Sequence, residues 1–318
     1  MTARCRLFLL PAFLAVIVAA ACQPVAPPPP SDPNPAMTAN GSLHGCPVFP
    51  ADNAWNQDVS ALPVSSQSAA YITSIGLTGH LHADFGGGGA YGIPYVTVQA
   101  EPGVPVNFTA YGDESDPGPY PVPLAAPVEG GASSDGDRHV LAVDTDHCKL
   151  YEMYRAFPRG NHWDADAGAV FDLRSDALRP DGWTSTDAAG LPVFPGLVRY
   201  DEVSSGAIHH ALRFTVARTQ KGFIHPATHD ASSSTDPTLP PMGLRLRLKA
   251  SFDTTPFHGE ARVVLDALKR YGMIVADNGS NWYITGASDP RWNDTDLNQL
   301  KTVPGSAFEA VDTGPIRR

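Results

Sequence analysis

Gly136-Asp-Arg-His-Val-Leu-Ala-Val-Asp-Thr-Asp-His-Cys-Lys-Leu-Tyr-Glu-Met-Tyr154 is the stretch around which the chain is organised. Two runs rich in β-branched and aromatic residues flank Thr-Asp-His-Cys, which reads as a β-hairpin. With a loop over 145–148, Asp144 pairs with Lys149, Val143 with Leu150, Leu141 with Glu152 and His139 with Tyr154. His139 and Glu152 then share one sheet face as diagonal neighbours. An imidazole beside a carboxylate suits proton transfer, because the carboxylate orients the ring and tunes its pKa. A structural polar pair beside the core is the plainer alternative. A slip of one residue would separate the two groups.

The hairpin also carries Cys148, one of four cysteines. Cys5 and Cys22 lie at the N-terminus, where Arg4 and Arg6 precede an apolar run from Leu7 to Ala20 and then Ala21-Cys22. This reads as a secretory signal over 1–21. A cysteine directly after small residues looks like a lipobox, with lipid attached at Cys22; an ordinary signal peptide cut nearby is the alternative. The remaining pair, Cys46 and Cys148, is expected to form a disulfide in an oxidising compartment. A loop of this size is worth about 4–5 kcal/mol in the chain-entropy picture. The protein is thus expected to be exported, held at the cell envelope or secreted, with the membrane as partner through the lipid anchor.

The formal charge is -11. Removing 1–21 leaves 20 Lys and Arg against 33 Asp and Glu, a charge of -13. An acidic surface argues against nucleic acid as partner. Residues 22–44 hold the lipid-site cysteine and a Pro-rich tether. One β-rich domain is expected over 45–313, followed by a short tail over 314–318.

Within that domain, 65–75 reads as a short helix with a Ser N-cap, ended by Gly76. Strands are expected over 93–99, 104–111, 169–173, 197–203 and 207–216. The segment 244–252 opens with strict alternation, so it reads as a half-buried strand. The clearest helix is 259–271, with Gly272 at its end. Asn278-Gly279 suggests a hairpin turn between 273–277 and 282–285. A short helix near 294–300 and a strand near 307–311 close the chain. Strands dominate, and Gly (29) and Pro (31) are frequent, so the expected fold is mainly β. The form expected is a jelly-roll-like, two-sheet antiparallel sandwich with a few short helices.

Other candidate chemistry is scattered. Alternation puts His209 and Arg213 on the polar face of 207–216 and His210 on the apolar side, as a core histidine. Arg245, Arg247 and Lys249 form a basic stripe, which reads as a solvated face or as a site for an acidic polymer. His225 and His229 stand in a loop without an adjacent Glu, a weak zinc signature. Asp172 and the Asp201-Glu202 pair are the carboxylates weighed for glycoside chemistry. The loop 179–195 is long enough to be functional and includes Trp183. Trp163, Trp183, Trp282 and Trp292 would suit sugar stacking if exposed. Nucleophile-elbow, dinucleotide and P-loop signatures are absent from the sequence.

Several stretches together resemble a group of exported bacterial proteins. They are Ser115-Asp-Pro-Gly-Pro-Tyr-Pro121, Gly136-Asp-Arg-His139, Leu150-Tyr-Glu152, Arg179-Pro-Asp-Gly-Trp-Thr184, Asp187-Ala-Ala-Gly-Leu-Pro192 and Ala276-Asp-Asn-Gly-Ser-Asn-Trp282. The resemblance implies export and brings no activity with it. The residues themselves suggest a lipid-anchored glycan hydrolase or lyase acting on an extracellular glycan, with no cofactor or metal. Its catalytic candidates are His139, Glu152, His209 and Arg213, and its substrate-binding candidates are Arg245, Arg247, Trp183, His225 and His229. A non-catalytic glycan- or cell-wall-binding lipoprotein is the main rival, and a metal-binding exported protein the next.

Overall fold

In the computed structural model, residues 42–318 are described. The expected signal segment, Cys22 and the tether as far as residue 41 lie outside them. In chain order the first strands are β1 (Ser42–Leu43), β2 (Cys46–Pro47), β3 (His82–Asp84), β4 (Tyr95–Val98) and β5 (Val106–Phe108). Then come β6 (Val140–Asp144), β7 (Lys149–Tyr154), β8 (Phe157–Arg159), β9 (His162–Ala165) and β10 (Ala167–Asp172). The last are β11 (Leu212–Val216), β12 (Arg245–Leu248), β13 (Met273–Asn278), β14 (Tyr283–Thr285) and β15 (Phe308–Ala310). Four short helices interrupt them: α1 (Ser68–Ile75), α2 (Tyr200–Ser205), α3 (Gly259–Arg270) and α4 (Asp294–Leu297).

The hairpin β6–β7 forms in the expected register, with Leu141 opposite Glu152 and Asp144 opposite Lys149. It is the middle of a four-stranded sheet ordered β10-β7-β6-β4. Both faces of this sheet are covered. Leu141, Val143 and Leu150 join one core with Leu212, Phe214 and Leu246. Val140, Ala142 and Met153 join a second core with Trp163 and Ala165 of the three-stranded sheet β5-β9-β8. The period-two alternation of the strands therefore sorts apolar side chains into two cores.

The β-rich expectation with few short helices holds, but the sheets are mixed rather than antiparallel. Parallel pairs occur at β4/β6, β5/β9, β11/β13 and β14/β3. The largest sheet is ordered β15-β12-β13-β11-β14-β3. Here the expected Asn-Gly hairpin fails: β13 and β14 do not pair, because β11 lies between them. The turn instead wraps the end of β11. Gly279 N donates to the Val216 carbonyl at 3.0 Å, and Ala217 N donates to Asn281 Oδ1 at 2.6 Å.

Two local readings change. The expected strand 197–203 is largely α2, whose first turn holds Asp201 and Glu202 and whose end is Gly206 in a left-handed conformation. Ser65 does not cap α1; the residue before the helix is Gln67, and Ser68 Oγ accepts from Ala310 N at 2.8 Å. Helix α3 forms as expected, burying Ala261, Val264, Leu265 and Leu268 on one stripe. Gly272 follows it at φ 67°, where a Cβ would lie 2.1 Å from the Leu246 carbonyl oxygen. Only glycine fits there, on both conformational and steric grounds.

Cys46 and Cys148 are bonded, with Cα atoms 5.3 Å apart and a sequence separation of 102. The bridge fastens the short β1–β2 ladder to the hairpin loop. Replacing both cysteines by alanine should lower stability by about 2–4 kcal/mol. Urea titrations of the two proteins check this.

Candidate functional site

His139 and Glu152 lie close together but make no pair. His139 Nδ1 is 2.6 Å from Glu129 Oε2, and its Nε2 is 2.8 Å from the Thr186 carbonyl oxygen. Both partners are acceptors when Glu129 is ionised, so both ring nitrogens carry hydrogen and the ring is an imidazolium. Burial opposes that charge, but the Glu129 carboxylate outweighs it and holds the His139 pKa up at about 9. Burial likewise opposes ionisation of Glu129, and His139 overcomes it, keeping Glu129 below its usual range. The His139 contribution to stability is complete below about pH 6.5 and is lost as pH rises through about 9, and the Glu129 contribution is complete above about pH 4.5 and is lost as pH falls through its lowered folded pKa. Glu129→Gln should cost about 2 kcal/mol at pH 7 and let burial drive the His139 pKa below 6.5. Denaturation and a 15N NMR titration of the imidazole measure both effects.

Glu152 is fully buried. Oε1 accepts from Phe194 N at 2.9 Å and from Val193 N at 3.0 Å, and Oε2 accepts from Thr186 Oγ1 at 2.9 Å. Burial raises its pKa, and these donors pull it part of the way back. The functional reading of the pair is therefore corrected: His139 has no lone pair to offer as a base, and Glu152 is enclosed by donors. Together they grip the long loop, with Thr186 bonded to both.

What the grip holds in place is Asp187. Its Oδ1 accepts from Ala189 N at 3.0 Å and Leu191 N at 3.1 Å. Gly190, at φ 72°, lets this turn close, since a Cβ there would lie 2.2 Å from Thr228 Oγ1. Asp187 Oδ2 is buried without a hydrogen-bond partner among the described residues. It lies 3.6 Å from Arg213 Nη2, and the same nitrogen lies 4.0 Å from Asp277 Oδ2. The two carboxylates thus flank one guanidinium. Arg213 is anchored by Nη1, which donates to Thr285 Oγ1 at 3.0 Å. Asp277 reaches this face because β13 runs parallel to β11, with Thr215 opposite Asp277 and a bulge just before that pair.

Burial pushes the Asp187 carboxyl up to about 7; Arg213 pulls against this, while Asp277 and Glu152 add to it. Burial raises Asp277 as well, with Arg213 opposing. Asp277 keeps 28% side-chain exposure and Asp187 none, so Asp187 is the carboxyl farther from water. Both line a cavity of about 320 Å³ together with Asp137, Tyr111, Tyr154 and His229. Asp137 and Tyr154 are the two ends of the hairpin stretch. His229 Nδ1 donates to the Ala188 carbonyl at 2.8 Å.

Arg213 and His229 therefore converge with the hairpin, and the other candidates do not. His209 is exposed beside Tyr271, on the wall of a different cavity of about 480 Å³. That larger cavity holds Arg199, Glu202 and His210, which form an ion-paired group: Arg199 lies 2.8 Å and His210 3.1 Å from Glu202. Although burial opposes it, Arg199 and His210 hold the Glu202 carboxyl at about 2, so it stays ionised and transfers no proton near neutrality. His210 is the core histidine expected. His225 pairs with Asp181 at 2.7 Å. Trp183 lies under the Arg179 guanidinium. Trp163, Trp282 and Trp292 are buried, so they offer no sugar platform.

The two arginines of the basic stripe are turned into the fold, while Lys249 is half-buried and donates to the Ser306 carbonyl at 2.8 Å. Arg245 is buried and donates to the carbonyls of Tyr271, Ala54 and Gln57. Arg247 donates to Glu309 and to the carbonyls of Val59, Ser60 and Leu62. Both arginines clamp the segment 54–62. Asp172 is exposed, and Asp201 pairs with Arg291 at 3.2 Å.

Asp187, Asp277 and Glu129 were not among the sequence candidates. The length of loop 179–195 was the one signal pointing toward Asp187. No family model, curated protein or solved structure matches this chain.

Proposed function

We propose that the protein is an exported, lipid-anchored glycoside hydrolase acting on an extracellular glycan, with Asp187 as general acid and Asp277 as its partner carboxylate. One observation carries this reading: Asp187, a buried carboxyl with an unpartnered oxygen, belongs to the loop lining a cavity, and a second carboxylate of that lining, Asp277, shares its guanidinium neighbour. Glycoside hydrolysis uses two such groups. Asp187 gives its proton to the leaving glycosidic oxygen. Asp277 takes one from the attacking water, or attacks the anomeric carbon itself; the anomer released tells these apart. Arg213 and Glu129–His139 are positioning groups, Arg213 between the carboxylates and His139 under the loop. Tyr111, 47% exposed, gives the cavity rim an apolar platform for a sugar face.

Elimination at a uronate suits the cavity less well, since the cations of β12 are engaged elsewhere in the fold. The expected sandwich corresponds, in this reading, to the four-stranded sheet layered on the six-stranded one through their common core. The disulfide suits an oxidising compartment, and the acidic charge suits a glycan better than nucleic acid.

The test is a screen of the folded domain against neutral, basic and acidic polysaccharides, reading new reducing ends and unsaturated products. Reducing ends that vanish in Asp187→Asn are expected. Unsaturated products would replace hydrolysis by elimination. Binding in glycan pull-downs with no turnover on any polymer would make the protein a glycan-binding lipoprotein.

A further inference from the structure

One face of the six-stranded sheet is polar and partly open. Register puts Asp277, Thr215, Tyr283 and His82 in a single cross-strand row, on β13, β11, β14 and β3 in turn. All four are half-buried, whereas Phe214 and Ile284, which alternate with them on the opposite face, belong to the core. The row ends at the edge strand β3, where the His82 ring stacks on Tyr283 with centroids 4.1 Å apart. At that edge lies a cavity of about 250 Å³ whose lining includes His82, Tyr91, Asp294, Asn298 and Lys301. Tyr91 is 64% exposed. Its ring is backed by the main chain at Gly87, where a Cβ would stand 2.7 Å from Tyr91 Cδ2. The side chains of Asn298 and Lys301 make no hydrogen bond among the described residues, and His82 makes only its ring stack. Asp294 accepts from Gly87 N at 2.8 Å, and its charge offsets that of Lys301. Burial, helped by Lys301, lowers the His82 pKa, so the ring is neutral at pH 7 and offers one donor and one acceptor.

We infer that this cavity is a second sugar subsite, which holds one neutral residue of a glycan laid along the Asp277–His82 row, with Tyr91 as its stacking platform. The position of the scissile bond rests on the hydrolase reading; the binding rests on the cavity itself. A pyranose has an apolar C–H face and a rim of hydroxyls that both donate and accept. An exposed phenol ring beside three unengaged polar side chains matches both parts. The three supply an ammonium, an amide and a neutral imidazole, so donors and acceptors are both present. A uronate would meet one cation already offset by Asp294, on a protein of formal charge -11. An ammonium sugar would meet Lys301. His82 stands three strands from Asp277 in the same row, which is about 14 Å at the usual strand spacing. A short oligosaccharide at Asp277 therefore does not reach Tyr91, and a longer one does.

The test is calorimetric titration of the folded domain with hexamers and dimers derived from cellulose, chitin and starch, and with a galacturonate hexamer. Turnover of each is followed in parallel. At least one neutral hexamer should bind, and more tightly than its dimer. Tyr91→Ala should weaken that binding about tenfold, as loss of a central aromatic contact does, and Tyr91→Phe should keep most of it. Asn298→Ala breaks no side-chain hydrogen bond of the fold and should weaken binding as well. On a hexamer that is cleaved, Tyr91→Ala should raise KM about tenfold with kcat unchanged, the mark of lost uniform binding. Cleavage of the dimer should not change. Affinity within twofold of wild type in both alanine variants overturns the inference. So does failure of every neutral hexamer to bind, or tighter binding of the galacturonate. Hexamer cleavage with the same KM in wild type and both variants overturns it while leaving the hydrolase reading intact. Hexamer binding that is lost in Tyr91→Ala, with no glycan cleaved by the wild type, supports the subsite and removes the hydrolase reading.

Discussion

Asp187→Asn is expected to cut turnover of a susceptible glycan by roughly 10²–10⁴-fold, the range associated with loss of a general acid. The fold should survive, because asparagine keeps the oxygen that accepts from Ala189 and Leu191. The wild-type kcat/KM should be bell-shaped in pH. Activity falls on the acid side as Asp277 protonates. It falls on the alkaline side as Asp187 loses its proton near pH 7. The alkaline limb should disappear in Asp187→Asn. An aryl glycoside with an acidic phenol should lose far less rate, since its leaving group needs no proton. An alkaline limb still at pH 7 in the variant would remove Asp187 from the acid role.

The same substitution should stabilise the protein. The folded pKa of Asp187 lies above the unfolded value, near 3.8, so its proton is bound more tightly in the folded state. That stabilisation is complete below the unfolded pKa and is lost as pH rises through about 7. The difference amounts to about 4 kcal/mol at pH 8. Asparagine never ionises, so the variant should melt higher than wild type at pH 8 and not at pH 4. The gain will be smaller than the full amount, because Arg213 loses one of its two carboxylate neighbours. Activity gained at the expense of stability is a common signature of working sites.

The second large effect concerns stability alone. Glu152→Ala should destabilise the domain by about 4–6 kcal/mol, since three buried donors lose their acceptor at about 1–3 kcal/mol each. Those donors are the Val193 and Phe194 amides and the Thr186 hydroxyl. Loop 184–194 should then detach from β7, and Asp187 with it. Glu152→Gln retains an acceptor oxygen and should recover much of the loss. A urea midpoint for Glu152→Ala within 1 kcal/mol of wild type would mean that the loop is held by something else.

The parts of this fold legible in the sequence are the local ones. The hairpin register follows from alternation and a four-residue loop. The disulfide follows from which cysteines remain after a signal segment is set aside. Helix α3 follows from a stripe and a glycine. The parts that escaped depend on partners distant in sequence. Arg245 and Arg247 alternate just as a solvated face would, and their true partners are backbone carbonyls, which carry no residue signature. Asn278-Gly279 reads as a hairpin because nothing in its neighbourhood announces that β11 will insert. His139 and Glu152 were correctly placed on one face, yet their partners come from 129, 186 and 193–194. Asp187 and Asp277 are 90 positions apart and meet only through Arg213.

The insertion of β11 also orders the way the molecule can assemble. Hairpin β6–β7 needs only neighbouring residues and can form as soon as they exist. β11 must wait, with Leu212, Phe214 and Val216 uncovered, until 273–285 arrives on both sides of it. Pairings between remote segments form slowly and leave apolar strands open to association meanwhile. In pulsed hydrogen exchange during refolding, amides of 140–154 should gain protection well before those of 212–216. The candidate carboxylates, one on each side of this late closure, would be the last part of the protein to become competent.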